Sequence, residues 1–367
     1  MKTLLLGDVC PTVFTHDDFA SQNIEKLFSD TVSLFSNADF SFINLECAIT
    51  ESENRIEKFG PNLKGPFGTE EVLKKLGVSL VGLSNNHIFD FGREGARDTR
   101  EALARAGIPF TGFGENYEDS RRNFTVLYGN EKITFITVCE HEYSYALENR
   151  EGSRPFDPFD TLEDIALAKR DSTRVIVLYH GGKEYCQYPS PRLRKACQAM
   201  VKCGADVVIC QHSHCVGCYE EFLEGHILYG QGNFHFLKLF NLDEKIAKLW
   251  NNSLAVLYDT ITNEMNFVPV VENEHGIEIA KGESARSILQ GFIQRNMELQ
   301  NGLWLNGWRA FCESQREWYT STVAHAYCEG STEIEDKQFG HYLDCEAHTD
   351  VYRELFKTVN HTNEIDV

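Results

Sequence analysis

The chain contains no run of about eighteen apolar residues, so a membrane-crossing helix is not expected. Its first residues, Met1-Lys2-Thr3-Leu4-Leu5-Leu6-Gly7-Asp8, lack the longer apolar core and small-residue cleavage site of a secretory leader. A cytoplasmic location is expected. Positive charge is scarce: 35 Lys and Arg stand against 55 Asp and Glu, a net charge of −20. Such an excess suits neither a nucleic-acid backbone nor an anionic membrane surface. Cys215 and Cys218 form a C-x-x-C without a second pair at zinc-ribbon spacing. The twelve cysteines, several of which end apolar runs (Cys10, Cys47, Cys139, Cys210), read as reduced buried thiols, with a redox or metal role for Cys215 and Cys218 as the alternative. Repeats and low-complexity segments are also absent. What remains, 42% hydrophobic and 12% aromatic, is enough for a packed core and excludes disorder.

Short β-branched apolar runs at 3–7, 39–45, 78–83, 133–138, 174–179 and 205–210 predict buried strands. Helical spacing occupies 23–36, 69–76, 93–106, 161–170 and 190–203, with helix stops at Gly77 and Gly107. Alternating strand and helix implies an α/β core with its loops at one edge. Residues 216–230 and 253–271 alternate apolar and polar, which predicts antiparallel strands with a turn at Thr262-Asn263. A mixed two-sheet core follows. After residue 276 the chain becomes polar and helical, over 282–299 and 307–327, and carries Trp304, Trp308 and Trp318. The expected division is 1–275 for the α/β domain and 276–367 for a helical extension. That extension would be a lid, a brace on the core, or a contact in a homo-oligomer.

The predicted strand ends are loaded with metal-competent groups. They read Gly7-Asp8, then Asn44-Leu45-Glu46, then Ser84-Asn85-Asn86-His87 with Asp90 beyond, then His180-Gly181-Gly182, and finally Gln211-His212-Ser213-His214. A single Asp after a strand is ordinary turn chemistry. Recurrence at five successive strand ends, where open α/β proteins collect their functional residues, is not. Mixed Asp, Glu, Asn and His donors suit Mn, Fe, Zn or Mg. Six donors exceed the needs of one tetrahedral ion and fit two divalent ions sharing a carboxylate.

In this order the motifs resemble the calcineurin-like metallophosphoesterase superfamily and, within it, the CapA capsule-synthesis (poly-γ-glutamate capsule) family. The matching residues are Gly7-Asp8, Asn44-Leu45-Glu46, Asn85-Asn86-His87 with Asp90 and Gly92, His180 through Glu184-Tyr185, Gly204 through His212-Ser213-His214, and Gly232-Asn233-Phe234. They span roughly 1–270. The resemblance implies a four-layer αββα sandwich. It assigns Asp8 and His214 to one metal, Asn86, His180 and His212 to the other, and Glu46 to both. His87 becomes a proton donor or oxyanion contact oriented by Asp90. Asn44, Asn85, Lys64, Glu184, Tyr185 and Asn233 are expected along the substrate. The superfamily's first motif, Asp-x-His, departs here: its third position is Cys10, which leaves the first site one histidine short.

The function implied is a metal-dependent hydrolase acting through a metal-activated hydroxide on a small phosphate ester or cell-envelope intermediate. Alternatives are γ-glutamyl amide hydrolysis or transfer, and a non-catalytic subunit of capsule synthesis. A small anionic substrate or a γ-glutamyl polymer is the expected partner. Lys183, beside His180, is a second candidate cation for it. Two divalent ions would make the cleft locally positive on a negative protein. His16, His141, His226 and His235 read as structural. His141, Glu140 and Glu142 are also candidates for the cleft wall, and the scattered His325, His341, His348 and His361 predict no second metal site.

Overall fold

The computed structural model describes residues 1–237 and 243–357. Seven of the eight residues in Lys2–Val9 are buried, which puts this strand inside a sheet with both faces covered. It pairs in parallel with Phe40–Leu45, which pairs with Leu80–Gly82, which pairs with Phe110–Thr111. On its other side Asn252–Asp259 runs antiparallel and turns back through Glu264–Glu272 to Ile277–Ile279. Asn263 takes a left-handed φ of 62° in that turn, a conformation asparagine tolerates. The short strand Asn233–His235 also pairs with the first strand, setting Asn233 opposite Asp8.

The smaller sheet is built on Glu131–Cys139, Arg174–His180, Val207–Gln211 and Gly225–Leu228, all parallel. Phe124–Tyr128 and Tyr219–Phe222 close its edges in antiparallel. Strand alternation sends side chains to opposite faces, and both faces of both sheets are apolar. Leu5, Phe42 and Leu80 meet Phe135, Ile176 and Ile209 between the sheets. Leu4, Ile43 and Val81 face outward to Leu27, Phe28, Val72 and Leu103 of the covering helices. Val175, Val177 and Val208 meet Ile165, Leu193 and Met200 from the helices Pro158–Asp171 and Pro191–Lys202. Helix, sheet, sheet and helix form the four layers.

Two expected helices are broken. The stretch 23–36 becomes Ile24–Phe28, a tight turn at Ser29–Thr31, and Val32–Ser36. Asp30 in that turn accepts from the Ile279 amide and pairs with Lys281 at 2.6 Å, a bond a continuous helix would not offer it. The stretch 307–327 divides at Gln315 into Trp304–Ser314 and Arg316–His325. The edge strand Phe124–Tyr128 has no buried residue, hence no apolar run to announce it.

The helix Gly282–Gln300 packs on the sheet edge through Ile288 and Phe292. Beyond it, Glu333–Asp344 and Glu346–Leu355 join the two preceding helices around Trp308, Cys312, Tyr319, Tyr342 and Val351. This layer is tied to the loaded edge of the smaller sheet. Arg192 spans Glu140 at 2.6 Å and Asp350 at 2.8 Å, the Ala347 amide donates to Glu140, and His141 meets Glu346 at 2.7 Å. Among the described residues no helix is long and apolar enough to cross a membrane. His361 lies outside them.

Candidate metal centre

Parallel strands end at a common edge, and here that edge gathers Asp8, Glu46, Asn86, His180, His212 and His214, all buried. His180 Nε2 lies 3.0 Å from Asn86 Oδ1, 3.1 Å from His212 Nδ1 and 3.3 Å from Glu46 Oε1. His214 Nδ1 stands 3.7 Å from Asp8 Oδ2, and its Nε2 stands 3.8 Å from Glu46 Oε1. Two groups of donor atoms result, Glu46–His180–His212 and Asp8–Glu46–His214, and Glu46 belongs to both. His212 and His214 take left-handed φ angles of 72° and 50°. That conformation is strained for a residue with a side chain, and it curls the loop so that both alternate imidazoles face Glu46.

Both Glu46 oxygens are buried without a hydrogen-bond donor among the described residues. A carboxylate held in that state is unfavourable unless a cation neutralises it. Several acceptor atoms crowd the same point, which is the arrangement a divalent cation resolves. The residues therefore fit a metal. Burial pushes the Glu46 carboxyl well above its usual range, and the neighbouring Asp8 charge adds to this. Burial would also raise Asp8, but its bond to His180 and the His180 and His214 charges outweigh that and hold it at about 2.

Asn44, Asn85 and Asn233 sit behind this cluster. Asn44 Nδ2 donates to Asp8 Oδ1 at 2.7 Å and lies 3.1 Å from His180 Nδ1. Asn85 donates to Asn44 Oδ1 and the Leu45 carbonyl, while its own carbonyl accepts from the His87 and Ile88 amides. Asn233 Oδ1 lies 2.8 Å from His214 Nδ1. These contacts orient the donors. The three asparagines, expected along the substrate, stand behind the donor cluster and are not among the residues that line the cleft. The ammonium of Lys64, expected along the substrate, meets Glu53 at 2.6 Å and the Ser52 carbonyl at 2.9 Å, and Lys64 is not among the residues that line the cleft.

Lys58 occupies the place expected of Lys64. It is buried with its ammonium on Asp90 and 3.2 Å from His87 Nδ1, and Asp90 Oδ2 lies 2.6 Å from the same nitrogen. Burial lowers the pKa of His87 and the Lys58 charge lowers it further, against the opposing pull of Asp90. No spacing in the sequence singles out Lys58.

The cleft in front of the cluster has a volume of about 180 Å³ and is lined by Asn86, His87, His214, Glu142, Glu184 and Tyr185, among others. Charges on Lys183, His212 and His214 hold Glu184 far below the carboxylate range despite its burial. Glu142 lies 3.5 Å from His212 Nε2 and 3.2 Å from His341 Nε2. His341, Tyr342 and His348 complete the wall from the C-terminal helices. The sequence reading missed them. The Thr332–Glu335 capping box is the signal that would have placed the helix of His341 and Tyr342.

Cys10 lies in the core between the larger sheet and its helices, and burial beside Cys47 pushes its thiol well up. It belongs to neither donor group. Cys215 and Cys218 are buried free thiols, with Cys215 pushed up to about 12 by burial.

Four layers, with two donor groups sharing Glu46 at one strand edge, define an αββα sandwich with a metal-competent centre. The family model described as "Bacterial capsule synthesis protein PGA_cap" matches residues 2–238, and the chain belongs to that family. Among its relatives is the capsule biosynthesis protein CapA of Bacillus anthracis, 27% identical over 241 residues, which cover 63% of this chain and 59% of that one. Another is the PGA biosynthesis protein CapA of Bacillus subtilis (strain 168), 25% identical, covering 64% and 63%. The chain thus spans about three fifths of the length of these relatives. A 5'-nucleotidase precursor from Thermus thermophilus is similar over 82% of this chain and 59% of its own, with 13% identity and a TM-score of 0.39.

Proposed function

We propose that the chain is a divalent-metal-dependent hydrolase of the phosphoesterase type, acting on a small anionic ester or cell-envelope intermediate in capsule polymer synthesis. The observation carrying this reading is the pair of donor groups that share Glu46, whose oxygens have no donor among the described residues. Asp8, His214 and Glu46 would hold one ion, and Asn86, His180, His212 and Glu46 the other. Bound there, the ions would supply Lewis acidity and an acidified water.

The rest falls to the chain's own side chains. Asp90 accepts from His87 Nδ1 and fixes the ring, so that Nε2 is the nitrogen left to exchange a proton with the reacting oxygen. Burial and Lys58 keep His87 neutral at neutral pH, ready to take that proton. Lys58, at the cleft wall, adds a positive charge where anionic oxygens would sit. Asn44, Asn85 and Asn233 keep the donors aimed.

The family match and the relatives' names favour a second reading, hydrolysis or transfer at a γ-glutamyl amide. Assays of Mn²⁺-loaded protein on p-nitrophenyl phosphate, bis(p-nitrophenyl) phosphate and a γ-glutamyl peptide separate the two. Ester turnover lost in His87→Ala and His212→Ala is the expected result. Peptide turnover alone supports the second reading. Elemental analysis showing less than about one metal per chain after reconstitution would overturn both.

A further inference from the structure

The cleft wall has two origins. One side carries the donor cluster, within the family-matched residues 2–238, and the other comes from helices beyond them. The ring of Tyr342 stacks on that of His348 at 3.8 Å and 13°, and His341 stacks on Tyr143 at 4.8 Å. His341 Nε2 is held by Glu142, and His348 Nδ1 lies 2.7 Å from the Tyr319 hydroxyl. Beyond these contacts, His341 Nδ1 and His348 Nε2 make no hydrogen bond among the described residues, and both rings line the cleft.

The space is small. Its volume of about 180 Å³ falls below the range of ordinary ligand pockets. A small anionic head group suits that space better than a group extended on both sides. A neighbouring groove of about 490 Å³ shares Glu184, Tyr185 and Tyr342 with the cleft and continues past Lys245, Phe311 and Trp318, which offers a path for one arm.

Resting on the hydrolase reading above, we propose that the C-terminal helices are the specificity element of the site. His341, Tyr342 and His348 close the cleft over a terminal anionic group, so the chain acts on end groups and excludes substrates extended on both sides of the reacting bond. The single remaining arm runs along the groove.

The test uses the full chain with His341→Leu and His348→Leu, each checked by thermal unfolding. If His348→Leu does not fold, His341→Leu decides the question alone. Calorimetric titration with orthophosphate measures the head-group contact without any turnover. Wild type is expected to bind it, and each variant about tenfold more weakly, as for one lost hydrogen bond to a charged group. Wild type should also prefer p-nitrophenyl phosphate over bis(p-nitrophenyl) phosphate in kcat/KM, and that preference should fall about tenfold in the variants. Absence of orthophosphate binding to wild type, or folded variants that match wild type in both measurements, overturns the proposal. If wild type binds orthophosphate but turns over neither ester, the hydrolase reading fails and the titration still decides whether these residues hold the head group.

Discussion

Replacing Glu46 by Gln should stabilise the metal-free protein and weaken the metal-loaded one. The reason lies in the two Glu46 oxygens, buried without a donor among the described residues. A carboxyl whose pKa is raised on folding holds its proton in the native state at a pH where the unfolded chain has released it. Stability then falls as pH rises from the unfolded value of 4.5 toward the raised folded value. The cost at pH 7 is bounded by simply protonating the group: 2.5 pH units at about 1.36 kcal/mol each, or about 3.4 kcal/mol. Gln carries no such penalty. An unfolding entropy of about 2.1 cal/mol/K per residue makes 1 kcal/mol worth about 1.3 °C for 367 residues. Scanning calorimetry in EDTA should therefore show Glu46→Gln melting up to about 4 °C above wild type at pH 7, with the gap closing by pH 4.5. With Mn²⁺ at about a hundred times its Kd, wild type should gain about 2.7 kcal/mol per ion, about 3–4 °C, and the variant much less. A variant that melts below wild type by the same margin in EDTA and in Mn²⁺ would refute the reasoning.

Lys58→Met removes a charge that depresses His87, so the His87 pKa should rise; histidine resonances followed by NMR across pH would report it, and an unmoved or lowered value would contradict the assignment. Arg192→Met leaves Glu140 and Asp350 buried without their shared cation, which should cost about 3–5 kcal/mol, about 4–6 °C in Tm at pH 7. Burial raises both carboxyls, so they protonate early on acidification and the loss should be smaller at pH 5. Cys328 is exposed while ten of the other eleven cysteines are buried, so a thiol reagent on native protein should show one fast-reacting group that Cys328→Ser removes.

The parallel core was legible because its strands are buried on both faces, and burial on both faces leaves an uninterrupted apolar run such as Val175 to Tyr179. The strand Phe124–Tyr128 was not, because an exposed edge needs no such run. The donor cluster was legible because its members stand at the ends of readable strands in a recognisable order. Lys58 is different. It comes from a stretch without regular structure, and it reaches Asp90 and His87 only through the folded path of that loop. His341 and His348 were read as scattered for a related reason: seven positions apart on two helices, they converge only when the chain turns at Cys345. The position of the Lys64 ammonium was not legible, because a lysine's reach is decided by the nearest carboxylate, and Glu53 is eleven residues away in sequence but adjacent in space.

The pairing of Lys2–Val9 with Asn252–Asp259 also bears on how the protein is made. The first strand occupies the middle of its sheet, yet its antiparallel neighbour is encoded about 250 residues later. At about 5–20 residues per second, translation leaves that edge uncovered for roughly 12–50 s. Throughout that time Leu4, Leu5 and Leu6 present an open apolar strand. Asp8 and His214 meet only after most of the polypeptide has emerged. Any ion held by these residues would therefore load late in biogenesis, and the nascent chain would have to survive its exposed edge without it.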